Sequence, residues 1–264
     1  MNKSDIPADP ARANSRPASP SEEFPRAFPW QRMLPAAVAA ALALTLLPFA
    51  EPLHRAVYAT LMWLPLSEFF STTRQFAGTT AILTLLAVIF VFDPPRRRTL
   101  VALLVAMGIA AVANESIKQV TGRTRPSRSV LLEEKDRLKL ERYIAEHPGT
   151  PVRTDGRDNW LLFKNDRPYF KDDFSSFPSG HANTAFVIAA FLIIVYPRGR
   201  WIWLLLAVGC ALARVRFRRH FPEDILFGGA LGWVMAHWVF SWGWPMRLAA
   251  RLETVFQRKG ASKS

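Results

Sequence analysis

The sequence predicts an all-α protein, a polytopic membrane helical bundle of about six transmembrane helices, and three observations carry that reading. Half of the 264 residues are hydrophobic, and they lie in dense blocks rather than an even scatter. The charged residues, 21% of the chain, fall almost entirely between those blocks, so a mean hydropathy of +0.08 hides several apolar runs. Basic residues gather in short connections at alternate block ends, the pattern that orients helices across a bilayer.

Six blocks read as spans: Met33–Ala50, Gly78–Phe92, Thr99–Val120, Ala182–Tyr196, Trp201–Arg214 and Asp224–Trp244. Several are shorter than the ~20 residues that cross ~30 Å of hydrocarbon, so protein must shelter their ends or flanking residues extend them. Between the first two, Glu51–Gln75 mixes Trp63, Phe69 and Phe70 with polar residues and is too broken to span, so it is expected to lie at the interface. Residues 1–30 are rich in Pro, Ser, Ala and charge without a helical apolar period, the composition of a disordered tail. The first apolar stretch begins only near Met33, too late for a secretory leader, and no small-residue cleavage site follows it. The membrane domain is therefore expected over 31–246, with a basic tail at 247–264.

Arg96, Arg97 and Arg98 lie in one short connection, Arg198 and Arg200 in another, and Arg247, Arg251, Arg258 and Lys259 after the last block. A six-helix count puts these on one side with Arg26 and Arg32, and that side is expected to be the cytoplasm. Arg214, Arg216, Arg218 and Arg219 fall on the other side, against the rule, and call for another explanation. The long connection 121–177 also falls there. It contains an amphipathic stretch at 129–146 and a hairpin candidate at 160–170, and loops of this length usually form lids or entry walls.

A net charge of +13 would suggest nucleic-acid binding in a soluble protein. No recognition helix, zinc spacing or single-strand-binding pattern accompanies it, and the basic residues flank membrane segments where anionic headgroups supply counter-charge. No nucleic-acid partner is expected. The sole cysteine, Cys210, lies inside an apolar run and reads as a packing residue.

Three clusters carry chemistry, all on the side away from the basic loops. Lys118 and Arg125 stand seven residues apart at the end of the third block, with Gly122 and Pro126 marking where a helix would unravel. Either a continued or a broken helix can aim both cations at one anion, although a lone Lys or Arg at a helix end more often snorkels to the interface. Pro178, Ser179, Gly180 and His181 precede the fourth block. There Ser179 can cap the helix, Gly180 admits a close ligand, and free amides face an anion while His181 is placed to move a proton. Arg214, His220 and Asp224 lie between the fifth and sixth blocks. Pro222 is placed to start a helix, and Asp224 is four residues beyond His220, so its carboxylate can accept one imidazole proton and leave the other nitrogen free to attack. Each cluster alone also fits an ordinary cap or surface turn.

Together, the Lys-six-residues-Arg-Pro, Pro-Ser-Gly-His and Arg-five-residues-His-three-residues-Asp elements, in that order, closely resemble the type 2 phosphatidic acid phosphatase superfamily. The resemblance runs from about Met33 to Trp244. It implies that His220 is the nucleophile, Asp224 its orienting partner and His181 the general acid and base. Lys118, Arg125, Arg214, Ser179 and Gly180 are implied to hold the phosphate, with no metal and no cofactor. It further implies an integral-membrane phosphatase acting on a lipid monoester or diphosphate (phosphatidic acid, phosphatidylglycerol phosphate, undecaprenyl diphosphate or phosphorylated lipid A), with the site facing the periplasm of a bacterial inner membrane. Ala213 stands where the family carries Ser, and Arg216, Arg218 and Arg219 stand where it carries small or apolar residues. Vanadate-dependent haloperoxidases share the motifs but are soluble. A non-catalytic lipid-binding or transport protein on the same scaffold is the alternative, which loss of His181, His220 or Asp224 would favour; all three are present.

Overall fold

A computed structural model describes residues 30–126 and 175–251, with four isolated positions between 142 and 148. Among the described residues all regular structure is helical. Helix α1 (Trp30–Leu46) passes through a 3-10 turn containing Pro48 into α2 (Ala50–Trp63). Then α3 (Ser67–Thr73), extended by a 3-10 turn to Ala77, bends by 64° into α4 (Thr79–Phe92). The longest helix is α5 (Arg97–Thr121), and it ends where Gly122 takes the left-handed conformation at φ 55° that a side chain would oppose. Helices α6 (Gly180–Val195), α7 (Arg200–Arg216) and α8 (Pro222–Trp242) complete the set.

The core forms where α5, α6 and α8 meet, through Leu103, Ala106 and Ala110, then Val187, Ile188 and Phe191, then Ala236, Val239 and Phe240. Small residues set the spacing. A Cβ on Gly228 would collide with the carbonyl of Ser179, and one on Gly232 with that of Asn183, so this Gly-xxx-Gly face lets α8 lie directly on the first turns of α6. That approach brings the start of α8 against the start of α6.

Outward, Leu83, Phe90, Phe92, Leu104, Val112, Trp201, Ile202 and Leu205 are exposed, an apolar exterior suited to lipid. Three helical runs are long and apolar enough to cross a bilayer: Trp30–Trp63, Pro94–Thr121 and Pro222–Trp242. The bent pair Ser67–Ala77 and Thr79–Phe92 adds a fourth when taken as one span. Helices α6 and α7, with 16 and 17 residues, rise only about 24–26 Å. The chain is an integral membrane protein of the predicted all-helical class.

The basic connections meet as expected. The Tyr196 hydroxyl donates to Asp93 (2.8 Å), Arg96 pairs with the same carboxylate (2.8 Å), and the Arg96 guanidinium lies 5.0 Å from the Tyr196 ring centroid. Bonds from Arg96 and then Tyr196 hold the Asp93 carboxyl below its usual range. The turns before α5 and before α7 therefore share one end of the bundle.

Glu51–Gln75 is more ordered than its sequence suggests. His54 and Leu61 of α2 and Phe70 and Thr73 of α3 are buried, packed with α7 and the start of α8. The tail at 1–29, the stretch at 129–146 except for three isolated positions, the hairpin candidate at 160–170 and residues 252–264 lie outside the described residues.

Candidate active site

The end opposite the basic turns gathers the last turn of α5, the first of α6, the last of α7 and the first of α8, so four helix ends bring three distant sequence clusters together. Ser179 caps α6: its Oγ accepts from the Ala182 amide (3.4 Å) and its carbonyl from the Asn183 amide (3.0 Å). The Ser179 amide itself donates to the Asp224 carbonyl (3.0 Å), which locks α6 to α8. The amides of Gly180 and His181 stand ahead of the helical ladder at the positive end of the dipole, as an anion seat requires. A Cβ on Gly180 would sit 3.5 Å from Lys118 Nζ, so the ammonium faces this seat directly. Glu115 flanks Lys118 at 3.7 Å from its exposed side.

The ring of His181 is within electrostatic reach of Arg214, His220, Lys118 and Arg125, and that of His220 within reach of Arg125 and Arg214. Arg125 is buried and donates to Ser175 Oγ (3.4 Å), while the Arg214 carbonyl accepts the amides of Arg219 and His220. Every residue in the predicted set converges. Burial, only partly opposed by Asp224, pushes His220 down to about 4, so its ring is neutral near pH 7 and keeps a free electron pair.

The partner of that ring differs from the expectation. His220 Nδ1 lies 2.7 Å from the Ser176 carbonyl and 3.7 Å from Asp224 Oδ2, so the neutral ring donates to the carbonyl and Nε2 is the free nitrogen. Asp224 Oδ2 is already occupied by the Ser176 hydroxyl (2.6 Å) and the Phe221 amide (2.8 Å), the latter capping α8. Asp224 thus reaches His220 through Ser176.

Arg123 is the main residue that the sequence reading passed over. It is 1% exposed, it donates to Asp224 Oδ1 and to Glu223 Oε1 (2.5 Å), and its guanidinium lies 4.1 Å from the Phe221 ring centroid. Its carbonyl also accepts the Ser176 amide (2.9 Å). The available signal was a third cation inside the Lys118–Arg125 cluster facing two adjacent carboxylates at the start of α8.

The excess arginines find structural work too. Arg216 donates to the Leu61 carbonyl and lies over Phe70, and Arg218, at φ 53°, donates to the Tyr58 hydroxyl (2.9 Å). Both fasten α2 and α3 to the α7–α8 connection, which gives these basic residues a structural role.

Residues 99–247 match the PAP2 superfamily. The bacitracin transport permease protein BcrC of Bacillus licheniformis is 32% identical over 95 residues, 34% of this chain and 46% of that protein. A lipid A 1-phosphatase of Rhizobium etli is 36% identical over 59 residues, 22% of this chain and 25% of that one. The chain therefore spans less than half the length of the curated relatives it matches. In fold it is similar to the crystal structure of a transmembrane PAP2 type phosphatidylglycerolphosphate phosphatase from Bacillus subtilis, with a TM-score of 0.50 and 22% identity, covering 80% of this chain and 94% of that one. With the family match extending over more than half of its length and through all three converging clusters, the chain belongs to the PAP2 superfamily.

Proposed function

We propose that this protein is a membrane phosphatase that removes phosphate from a lipid through a phosphohistidine intermediate. The observation that carries the reading is the neutral, buried His220 ring standing with His181 beside three cations and a capped helix N-terminus. Lys118, Arg125, Arg214 and the Gly180 amide, with Ser179 as cap, hold the phosphoryl oxygens and offset the charge that builds on them. His220 Nε2 forms the bond to phosphorus as the bond to the leaving oxygen breaks, and His181, kept protonated by the negative charge of the bound phosphate, gives that oxygen its proton. Water then attacks phosphorus, His181 takes the water's proton, the phosphorus–nitrogen bond breaks and inorganic phosphate leaves. Asp224, acting through Ser176, holds the His220 ring and stabilises its cationic phosphorylated form.

A seat at one end of a lipid-facing bundle admits a headgroup while its chains stay in the bilayer, and the Rhizobium relative is named for action on a phosphorylated lipid. These support a lipid phosphate as substrate. The seat is proposed to face the outer side, the periplasm of a bacterial inner membrane, because the arginine-rich turns gather at the opposite end.

The test is hydrolysis of a panel of lipid phosphates by purified protein, with and without a divalent-ion chelator, combined with acid-quench trapping of phosphoprotein. Release of phosphate in chelator, with an acid-labile phosphoprotein absent from His220→Gln, is the expected result. Folded protein that binds these lipids without hydrolysing any of them would favour the non-catalytic lipid-binding or transport role.

A further inference from the structure

We infer that Asn114 is a further phosphate-binding residue, its carboxamide donating to the same oxyanion that Lys118 and the Gly180 amide hold. The inference rests on the phosphatase reading above and adds a neutral contact to its cations.

Asn114 lies one helical turn before Lys118 on α5, so the two share a face. That face runs along the start of α6. Ala110, one turn earlier, gives its carbonyl to Asn183 Nδ2 (2.9 Å), which fixes the register of the two helices. One and two turns later, Asn114 and Lys118 arrive at Gly180. A Cβ on Gly180 would sit 3.6 Å from Asn114 Nδ2 and 3.5 Å from Lys118 Nζ, so the amide nitrogen and the ammonium flank one space that glycine leaves open.

Asn114 is only 4% exposed, yet its Oδ1 is buried with no hydrogen-bond partner. The Oδ1 of Asn183 is likewise buried without a partner, but its Nδ2 is held by the Ala110 carbonyl, whereas the Nδ2 of Asn114 stands at the space Gly180 leaves open. What distinguishes Asn114 is the placement of its donor nitrogen, beside Lys118 Nζ and the first amides of α6. The carboxamide suits a tetrahedral oxyanion: Nδ2 donates to an unprotonated oxygen, and Oδ1 can accept from a protonated oxygen or from an approaching water. No net charge is added, so product phosphate is held less tightly than by a fourth cation.

The alternative is that Asn114 only packs. The apolar variant Asn114→Leu separates the two, because it removes the orphaned oxygen at similar volume, and Asn114→Ala serves where the larger side chain prevents folding. The experiment measures stabilisation of the full-length protein by orthovanadate and by inorganic phosphate in detergent, together with KM and kcat on a lipid phosphate. Expected are a melting temperature for Asn114→Leu without ligand at or above the parent value, a vanadate dissociation constant raised at least tenfold, and a KM raised similarly. Asn114→Asp, which puts a carboxylate beside the anion, should weaken vanadate binding further. Equal vanadate stabilisation of parent and Asn114→Leu overturns the assignment of Asn114 while leaving the phosphatase reading intact. A parent protein that vanadate and phosphate do not stabilise overturns both.

Discussion

Asp224 Oδ2 accepts from Ser176 and Phe221, and that occupancy sends the His220 proton to a main-chain carbonyl instead. A carbonyl cannot be removed by side-chain substitution, so the tautomer of His220 is set by the Pro178 segment as much as by Asp224. Replacing His220 with Gln should abolish turnover while the protein still purifies as a folded species, because His181 is committed to proton transfer and the Ser179 hydroxyl to capping α6. Turnover at near-parental rate in that variant would remove His220 from its role. The same ring links pH to stability. Folded His220 protonates near 4 and an unfolded ring near 6.5, so between these values the unfolded chain binds more protons. Its contribution is therefore full above pH 6.5 and declines as pH falls toward 4. The melting temperature of the parent should drop across that window by more than that of His220→Gln, and parallel curves would contradict the burial argument. The histidines and cations of the site are legible in the sequence because their spacing is local to each cluster. Ser176 is not, and Arg123 shows only as an extra cation, because their significance depends on which oxygen of Asp224 each one occupies.

The ends of α5 and α8 are joined by a buried ion cluster rather than by apolar packing. Arg123 bridges Glu223 and Asp224, and the side chains of all three are almost fully enclosed. Removing the cation strands two buried carboxylates, so Arg123→Met should cost about 3–5 kcal/mol of stability, measured by denaturant titration in mild detergent. Glu223→Gln, which can still accept from Arg123, should cost less, and combining the two changes should cost less than their sum. Strict additivity would mean that the cluster is not a unit. On the apolar side, Gly232→Val drives a side chain into the Asn183 carbonyl, separating α8 from α6 at a cost of about 1–3 kcal/mol and slowing turnover as the seat widens. Wild-type rate and stability in that variant would show that α6 yields without disturbing the seat. The six apolar blocks are each recovered as helices, since hydrophobic density is a local property. The helical order of Glu51–Gln75 is not legible in that way. Its polar face is satisfied by Arg216 and Arg218, partners more than 150 residues away.

Across the whole molecule, the arginine turns at one end and the seat at the other define the proposed orientation. In a Cys210→Ala background, a membrane-impermeant thiol reagent should label a cysteine at the exposed Arg219 from outside intact cells and one at the exposed Arg198 only after lysis. The reverse pattern would invert the protein and hand it cytoplasmic-leaflet lipid. The 16 residues of α6 and 17 of α7 add a mechanical consequence. Both helices fall several ångströms short of a ~30 Å hydrocarbon layer, and the mismatch is met by thinning of the surrounding leaflets or by a seat recessed below the headgroup plane. A lipid phosphate, the proposed substrate, must then descend to be bound, and each added methylene in the host membrane lengthens the descent. Turnover in vesicles should accordingly fall as acyl chains are lengthened at constant headgroup, which makes membrane thickness itself a regulator of the reaction.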